Sequence, residues 1–292
     1  MFIYEKVFFI LLIIAFAYTL KRGGIFKEEH ALPFINYVIY FALPFTIFKN
    51  LRFLEIGKEV LGVVLIAWGA IFLSILFAFL FGKFLKLEEK TLRAFLLVSS
   101  FGNTAFMGYP FLYALEGNEG LKYAILYDQL GSFLMVITLG LFLAIGKFDL
   151  KELILFPPFI ALVLSFLLHG VRFPQFFEHS VEIISGSLIP VILFSLGLRL
   201  NFTDMKSDYR TLFSALFIKM FLVPLLILVF LKIFGLTSLP YRVALIESAM
   251  PPMVFAGVLA LKYELDFRLA FSAITLGIVI SLFTVPVFRI LL

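Results

Sequence analysis

The chain has 292 residues, of which 63% are hydrophobic and 15% charged, whereas a soluble domain carries about 25% charged residues; this composition points to a polytopic membrane protein. The absence of cysteine excludes disulfides, Cys-ligated zinc, iron–sulfur clusters and a thiol nucleophile. The net charge of +5 comes from basic residues scattered over segment ends, a pattern that anchors helices in a lipid bilayer rather than one that binds nucleic acid.

A helix crossing the hydrocarbon core needs about 20 mostly apolar residues. Ten spans are predicted: 3–20, 31–48, 58–82, 92–115, 121–146, 153–169, 179–198, 211–234, 240–262 and 267–290. The first starts directly after Met1 and shows no small-residue cleavage site, so it is expected to be a retained span rather than a signal peptide. Connections are short and charged, as in "KRGGIFKEEH" (21–30) and "KFDLKE" (147–152). The expected fold class is therefore an all-α polytopic membrane protein with one transmembrane domain.

Ten spans put both termini on one side. The face holding Lys21, Arg22 and Lys27 also receives Lys83, Lys86, Lys90, Arg93, Lys147, Lys151, Arg199, Lys206, Arg210, Lys262 and Arg268, which is 14 basic residues. The opposite face has Lys6, Lys49, Arg52, Lys58, Lys122, Arg172, Lys232 and Arg289, which is 8. The positive-inside rule then places both termini outside the cytoplasm. The expected location is the cell membrane, the inner one in a Gram-negative host.

The halves echo each other at an offset of 146: Pro44 and Pro190, Phe48 and Phe194, Gly131 and Gly277, and Gly102 with Ser248. Five spans per half would insert the second half upside down, as in many secondary transporters. The expected organisation is a first repeat over 1–146, a cytoplasmic connector over 147–152 and an inverted repeat over 153–292.

Two apolar segments are interrupted at matching places, "GNTAFMGYP" (102–110) and "ESAMPP" (247–252). Pro110, Pro251 and Pro252 lack N–H groups, which should free the carbonyls of Phe106, Glu247 and Ser248. Residues before proline are pushed away from the α region, so the expected break points are Tyr109 and Met250. Unsatisfied backbone in lipid is tolerated only inside the protein or beside a watery cavity. Half-helices meeting there offer positive N-termini and free carbonyls to an anion and a cation.

Asn103, Thr104, Tyr109 and Ser248 are the candidate polar contacts, although Asn103, Thr104 or Ser248 would equally serve as helix caps. Asp128, Lys219 and Glu247 lie well inside spans, where charges pair or line functional cavities. Glu247 is expected to serve either as a protonatable group or as the partner of Lys219 in one transport state, depending on their distance. Arg242 is expected at the surface. His30, His169 and His179 fall at span ends and are poorly placed to share a metal; no metal or cofactor is expected.

"GNTAFMGYPF" and "ESAMPPMVFAGVLALKYELD" (247–266) resemble the two crossing segments of the auxin efflux carrier family of membrane transporters. "LPFTIF", "IPVILFSLGLRL" and "IKMFLVPLL" are similar to its second, seventh and eighth spans. The resemblance covers essentially the whole chain. It implies ten helices, with the fourth and ninth discontinuous and crossed, in a fold shared with bile-acid symporters and some sodium/proton antiporters. It also implies scaffold and transport domains that move elevator-like, and export of organic anions: auxin in plants, malate or malonate in some bacterial relatives. By position it centres the substrate site on Asn103, Pro110, Pro251 and Pro252. Plant members have a long hydrophilic stretch where "KFDLKE" stands, and an asparagine in the second crossing where this chain has Ser248, Ala249 and Met250. A prokaryotic-type carrier for a ligand other than auxin is the better fit.

The expected function is a secondary active transporter, exporter or exchanger, of a small organic anion such as a carboxylate. No GxxxxGK[ST] segment is present for ATP coupling, and neither HExxH nor GxSxG supports an intramembrane hydrolase. The alternatives are a sodium-coupled symporter and a non-transporting sensor or scaffold. The embedded Lys219 ammonium favours proton coupling over sodium, and a homodimer is compatible with the sequence.

Overall fold

The computed structural model describes residues 3–55, 57–146, 156–201 and 208–292; the 147–152 connector and Lys206 lie outside them. The described residues are helical and contain no strand. The helices are α1 Ile3–Arg22, α2 Glu28–Leu51, α3 Lys58–Phe84, α4 Glu89–Ser100, α5 Thr104–Ile145, α6 Pro157–Leu167, α7 Gln175–Arg199, α8 Tyr209–Ile233, α9 Leu239–Ser248, α10 Val254–Lys262 and α11 Phe267–Leu291. Six of them, α2, α3, α5, α7, α8 and α11, are long and apolar enough to cross a membrane. α4, α9 and α10 are too short to do so alone.

Proline chemistry shapes several helices. In α2, α5 and α8 a π-helical turn lies just before the proline: Val38–Ala42 before Pro44, Thr104–Gly108 before Pro110, and Ile218–Leu222 before Pro224. A proline removes one N–H and crowds the carbonyl four residues back. Widening the turn accommodates both effects while the helix continues. At Gly117 the backbone takes φ 69°, ψ −159°, a left-handed value that divides α5 into two limbs. Tyr109 on the first limb touches Asp128 on the second, so the limbs run side by side.

α1 packs along α7, and α2 packs on α6 and α7; α3, α4, α5 and α8–α11 form a second set of neighbours. The α1–α7 contact is intimate because Gly197 has no side chain: a Cβ there would lie 2.4 Å from the Ile14 carbonyl oxygen. The end of α7 is closed by Lys21, whose ammonium donates to the Leu200 carbonyl. At the start of α8, Asp208 accepts from the Thr211 hydroxyl and N–H, which hold its carboxyl below the usual carboxylate range.

Polar clasps fasten the helix ends. Glu116, at the kink of α5, forms ion pairs with Arg289 of α11 and with Arg242 of α9, the latter at 3.7 Å. Arg242, expected to mark the surface, is thus partly buried because Glu116 draws it inward. Elsewhere Arg93 donates to the Leu143 and Ala144 carbonyls of α5, and Thr91 bonds Asp266. Arg52 is buried, forked onto Glu178 at 2.7 and 2.8 Å and stacked near Phe48, Phe53 and Phe173.

Gly197→Ala should drive a methyl group into the α1 backbone, which has little room to yield. Overpacking of this kind costs about 1–3 kcal/mol. We predict a lower thermal midpoint in detergent for Gly197→Ala, with Gly186→Ala, where the added Cβ meets open space, melting close to the native protein. Equal midpoints for Gly197→Ala and the native chain would show that α1 and α7 are not packed this closely.

Candidate functional site

The two interrupted segments cross and hydrogen-bond to each other. α4 ends at Ser100, and Phe101 is extended (φ −101°, ψ 122°). α9 ends at Ser248, and α10 restarts after Met253 (φ −69°, ψ 135°). Gly102, related by the offset to Ser248, faces Pro252 in an antiparallel bridge. Asn103 N–H donates to the Pro251 carbonyl at 2.7 Å, and Met253 N–H donates to the Phe101 carbonyl at 2.9 Å. Each break therefore supplies partners for the other, which solves the problem of bare backbone in lipid. Two helix C-termini and two N-termini converge on this crossing.

The first break lies upstream of its expected position. Tyr109 is helical (φ −58°, ψ −49°), because the π turn Thr104–Gly108 absorbs Pro110 and the interruption falls at Phe101–Asn103 instead. Met250 does lie in the second gap. Pro251 and Pro252 are buried, with Gly277 of α11 packed against both rings.

Asn103 combines both readings of its side chain. Its Oδ1 caps α5 by accepting from Phe106 N–H at 3.2 Å, while its Nδ2 is buried with no hydrogen-bond partner. A buried donor of this kind is costly unless something accepts from it. Thr104 and Tyr109 are already engaged: both hydroxyls donate to Asp128, Tyr109 at 2.7 Å. Gln129 Nε2 is a third donor to Asp128 at 2.7 Å. Gln129 escaped the sequence reading, although a neighbouring Asp-Gln pair inside an apolar span was a usable signal. The Ser248 hydroxyl donates to Leu245 of its own helix at 2.6 Å.

Lys219 is buried and donates to the Ser248 carbonyl at 2.6 Å. Its ammonium therefore sits at the negative end of α9, where a cation is stabilised. The Ser248 and Glu247 carbonyls, expected to be free, both have donors, since Met250 N–H reaches Glu247 at 3.2 Å. Lys219 is thus bonded to backbone rather than to the Glu247 carboxylate, whose two oxygens are buried without a hydrogen-bond partner. That carboxylate lies against Gly108, where an added Cβ would come within 2.2 Å of Oε2. The arrangement can present to a small molecule one neutral donor, two helix N-termini, a fixed ammonium and an unpartnered carboxyl group.

A sequence profile of the family described as membrane transport protein matches residues 2–144 and 140–289. The chain is 34% identical to an uncharacterized transporter of Methanocaldococcus jannaschii, covering 96% of each protein. It is 29% identical to an uncharacterized transporter of Methanothermobacter thermautotrophicus, over 99% of this chain and 98% of that one. The uncharacterized transporter YfdV of Escherichia coli is 22% identical, over 95% of this chain and 93% of its own.

The contact between Gly108 and Glu247 is open to a double-mutant cycle. Gly108→Ala should destabilise the protein by about 1–3 kcal/mol through overpacking, whereas alanine is otherwise favourable in a helix. Adding Glu247→Ala removes the colliding carboxylate, so the pair should be less destabilised than the sum of its parts. Additive shifts in thermal midpoint would place the Glu247 side chain elsewhere.

Proposed function

Because the chain belongs to the membrane transport protein family, the auxin efflux carrier family, we propose that it is a secondary active transporter of a small organic anion, a carboxylate by class. The observation that carries the reading is the crossing itself, with two helix N-termini beside the unpartnered Nδ2 of Asn103. N-termini and a neutral amide attract an anion while leaving it free to depart, which a deeply buried arginine would not. Asn103 is the principal side-chain contact; Pro110, Pro251 and Pro252 shape the gap. Thr104 and Tyr109 act through Asp128, and Ser248 offers backbone.

We read the chain as ten spans in two inverted repeats, 1–146 and 153–292. This reading counts each limb of α5 as crossing and joins half-helices across the breaks. The pairing of α1 with α7 and of α2 with α6 supports it, because exchanging the halves converts one contact into the other. The same contacts favour a scaffold of α1, α2, α6 and α7 beside a transport domain of the remaining helices, which would move elevator-like. The termini lie outside the cytoplasm in this reading, and the protein acts without enzymatic chemistry. A homodimer would be held through the scaffold.

Proton coupling is favoured over sodium. Lys219 places a built-in cation on the Ser248 carbonyl, where a metal ion would otherwise find oxygen, and Glu247 is an unpartnered carboxyl group able to exchange a proton. Reconstitution into proteoliposomes tests the class: uptake or exchange of a member of a mono- and dicarboxylate panel is expected, driven by a pH gradient without sodium. No flux of any member under any imposed ion gradient would end the transporter reading.

Asn103→Ala should insert normally and bind the transported anion one to two decades more weakly, since losing a buried hydrogen-bonding group costs about 1–3 kcal/mol. Unchanged affinity would reduce Asn103 to a helix cap. Glu247→Gln should cut flux strongly and alter its pH profile. With Lys219 bonded to backbone, adding Lys219→Met should lower folded yield on its own account and not restore the flux. Restored flux would instead show that the two side chains pair during the cycle.

A further inference from the structure

A cavity of about 500 Å³ lies between the C-terminal end of α7 and the helices α10 and α11. One end is Val254, the first residue of α10, next to Met253, whose N–H bonds across the crossing. The other end carries Glu28, Arg199 and Arg268. The stretch of α11 that lines it runs from Phe267 to Ile278, about 16 Å at 1.5 Å per residue. That is roughly half the ~30 Å hydrocarbon thickness, so the cavity joins one surface to the depth of the crossing.

Its lining has a sign. Arg199 faces Glu28, whose carboxylate is itself held by Asn201 at 3.1 Å. Among the described residues no hydrogen bond or close ion pair engages the guanidinium of Arg199 or Arg268. Two arginines against one glutamate leave a positive mouth, and the N-terminus of α10 adds partial positive charge at the inner end. Between them stand Ser272 and Thr275, only 3% and 7% exposed, whose hydroxyls also lack a protein partner among the described residues. Other buried serines bond a carbonyl of their own helix, Ser165 at 2.6 Å and Ser195 and Ser281 at 2.7 Å, whereas Ser99 and Ser100 of α4 do not. Both Ser272 and Thr275 line the cavity, so their hydroxyls are free to donate to an acceptor that enters past the basic mouth.

Building on the transporter reading, we propose that this cavity is an anion-binding antechamber, a second site distinct from the crossing. A small carboxylate docks on Arg199 and Arg268 by charge-assisted hydrogen bonds and is then held by Ser272 and Thr275 before reaching the α10 N-terminus. A lipid phosphate shares this chemistry, but the depth of the two hydroxyls favours a small soluble anion.

The native chain has no cysteine, so Thr275→Cys, or Ser272→Cys one turn nearer the mouth, supplies a single thiol without background. Each variant, in nanodiscs of neutral phosphatidylcholine, is labelled with a sulfonate-bearing or a trimethylammonium-bearing methanethiosulfonate, and rates are divided by those for a free thiol. The anionic reagent is expected to react on the order of tenfold faster, as in clefts that concentrate one sign of charge. Arg199→Gln with Arg268→Gln should abolish the preference, and millimolar acetate or succinate should slow labelling. Absence of labelling at both positions, labelling without charge preference, or a preference that survives loss of both arginines would overturn the proposal. So would protection by added anionic lipid alone, which would assign the cavity to a headgroup. Labelling requires no transport: a negative result leaves the carrier reading standing, and charge-selective labelling without flux in liposomes would sink the carrier reading alone.

Discussion

In a hydrocarbon solvent every backbone N–H and C=O must find a partner within the protein, and the rest of this structure depends on how the two broken helices meet that demand. Each break alone would strand polar groups at a cost of several kcal/mol apiece. Laid antiparallel, the segments around Gly102 and Pro252 exchange two hydrogen bonds through Asn103 and Met253. The interruption is therefore stable only as a pair, and removing either partner exposes the other. This explains why a chain so apolar can keep four helix ends in its interior.

The same demand accounts for the surrounding side chains. Ser248 loses a backbone donor to Pro252, and Lys219 of α8 replaces it with an ammonium. Asp128 is buried among apolar helices and accepts from three donors on α5, which ties the limbs of that helix together beside the crossing. Beside the crossing, Glu247 and Asn103 Nδ2 are left unanswered. Unanswered groups lying beside a crossing of broken helices mark where chemistry with something outside the chain is expected. They are also where protein stability has been yielded.

Fine positioning rests on absent side chains as much as on present ones. Gly197 lets α1 and α7 touch at backbone distance, and Gly108 admits the Glu247 carboxylate to the π turn of α5. Ion pairs at Glu116 and contacts of Arg93 with the end of α5 fasten the helices around the crossing. The interior hydrogen bonds of the crossing are thereby held by the group rather than by any single helix.

Apolar stretches, prolines and charges in unusual company are properties of chain order, and they alone determined the helical membrane class, the two interrupted segments and the candidates Asn103, Lys219 and Glu247. The "ESAMPP" segment also carried the family resemblance, because its run of residue types is rare enough to be specific. The choice of partner was another matter. The helical state of Tyr109, the attachment of Lys219 to Ser248, the commitment of Thr104 and Tyr109 to Asp128, and the arginine-lined cavity each depend on the register in which distant helices pack. Gly102 and Pro252 are 150 positions apart along the chain. No local periodicity specifies which of several nearby carbonyls an ammonium will reach; the summed packing of the whole bundle does.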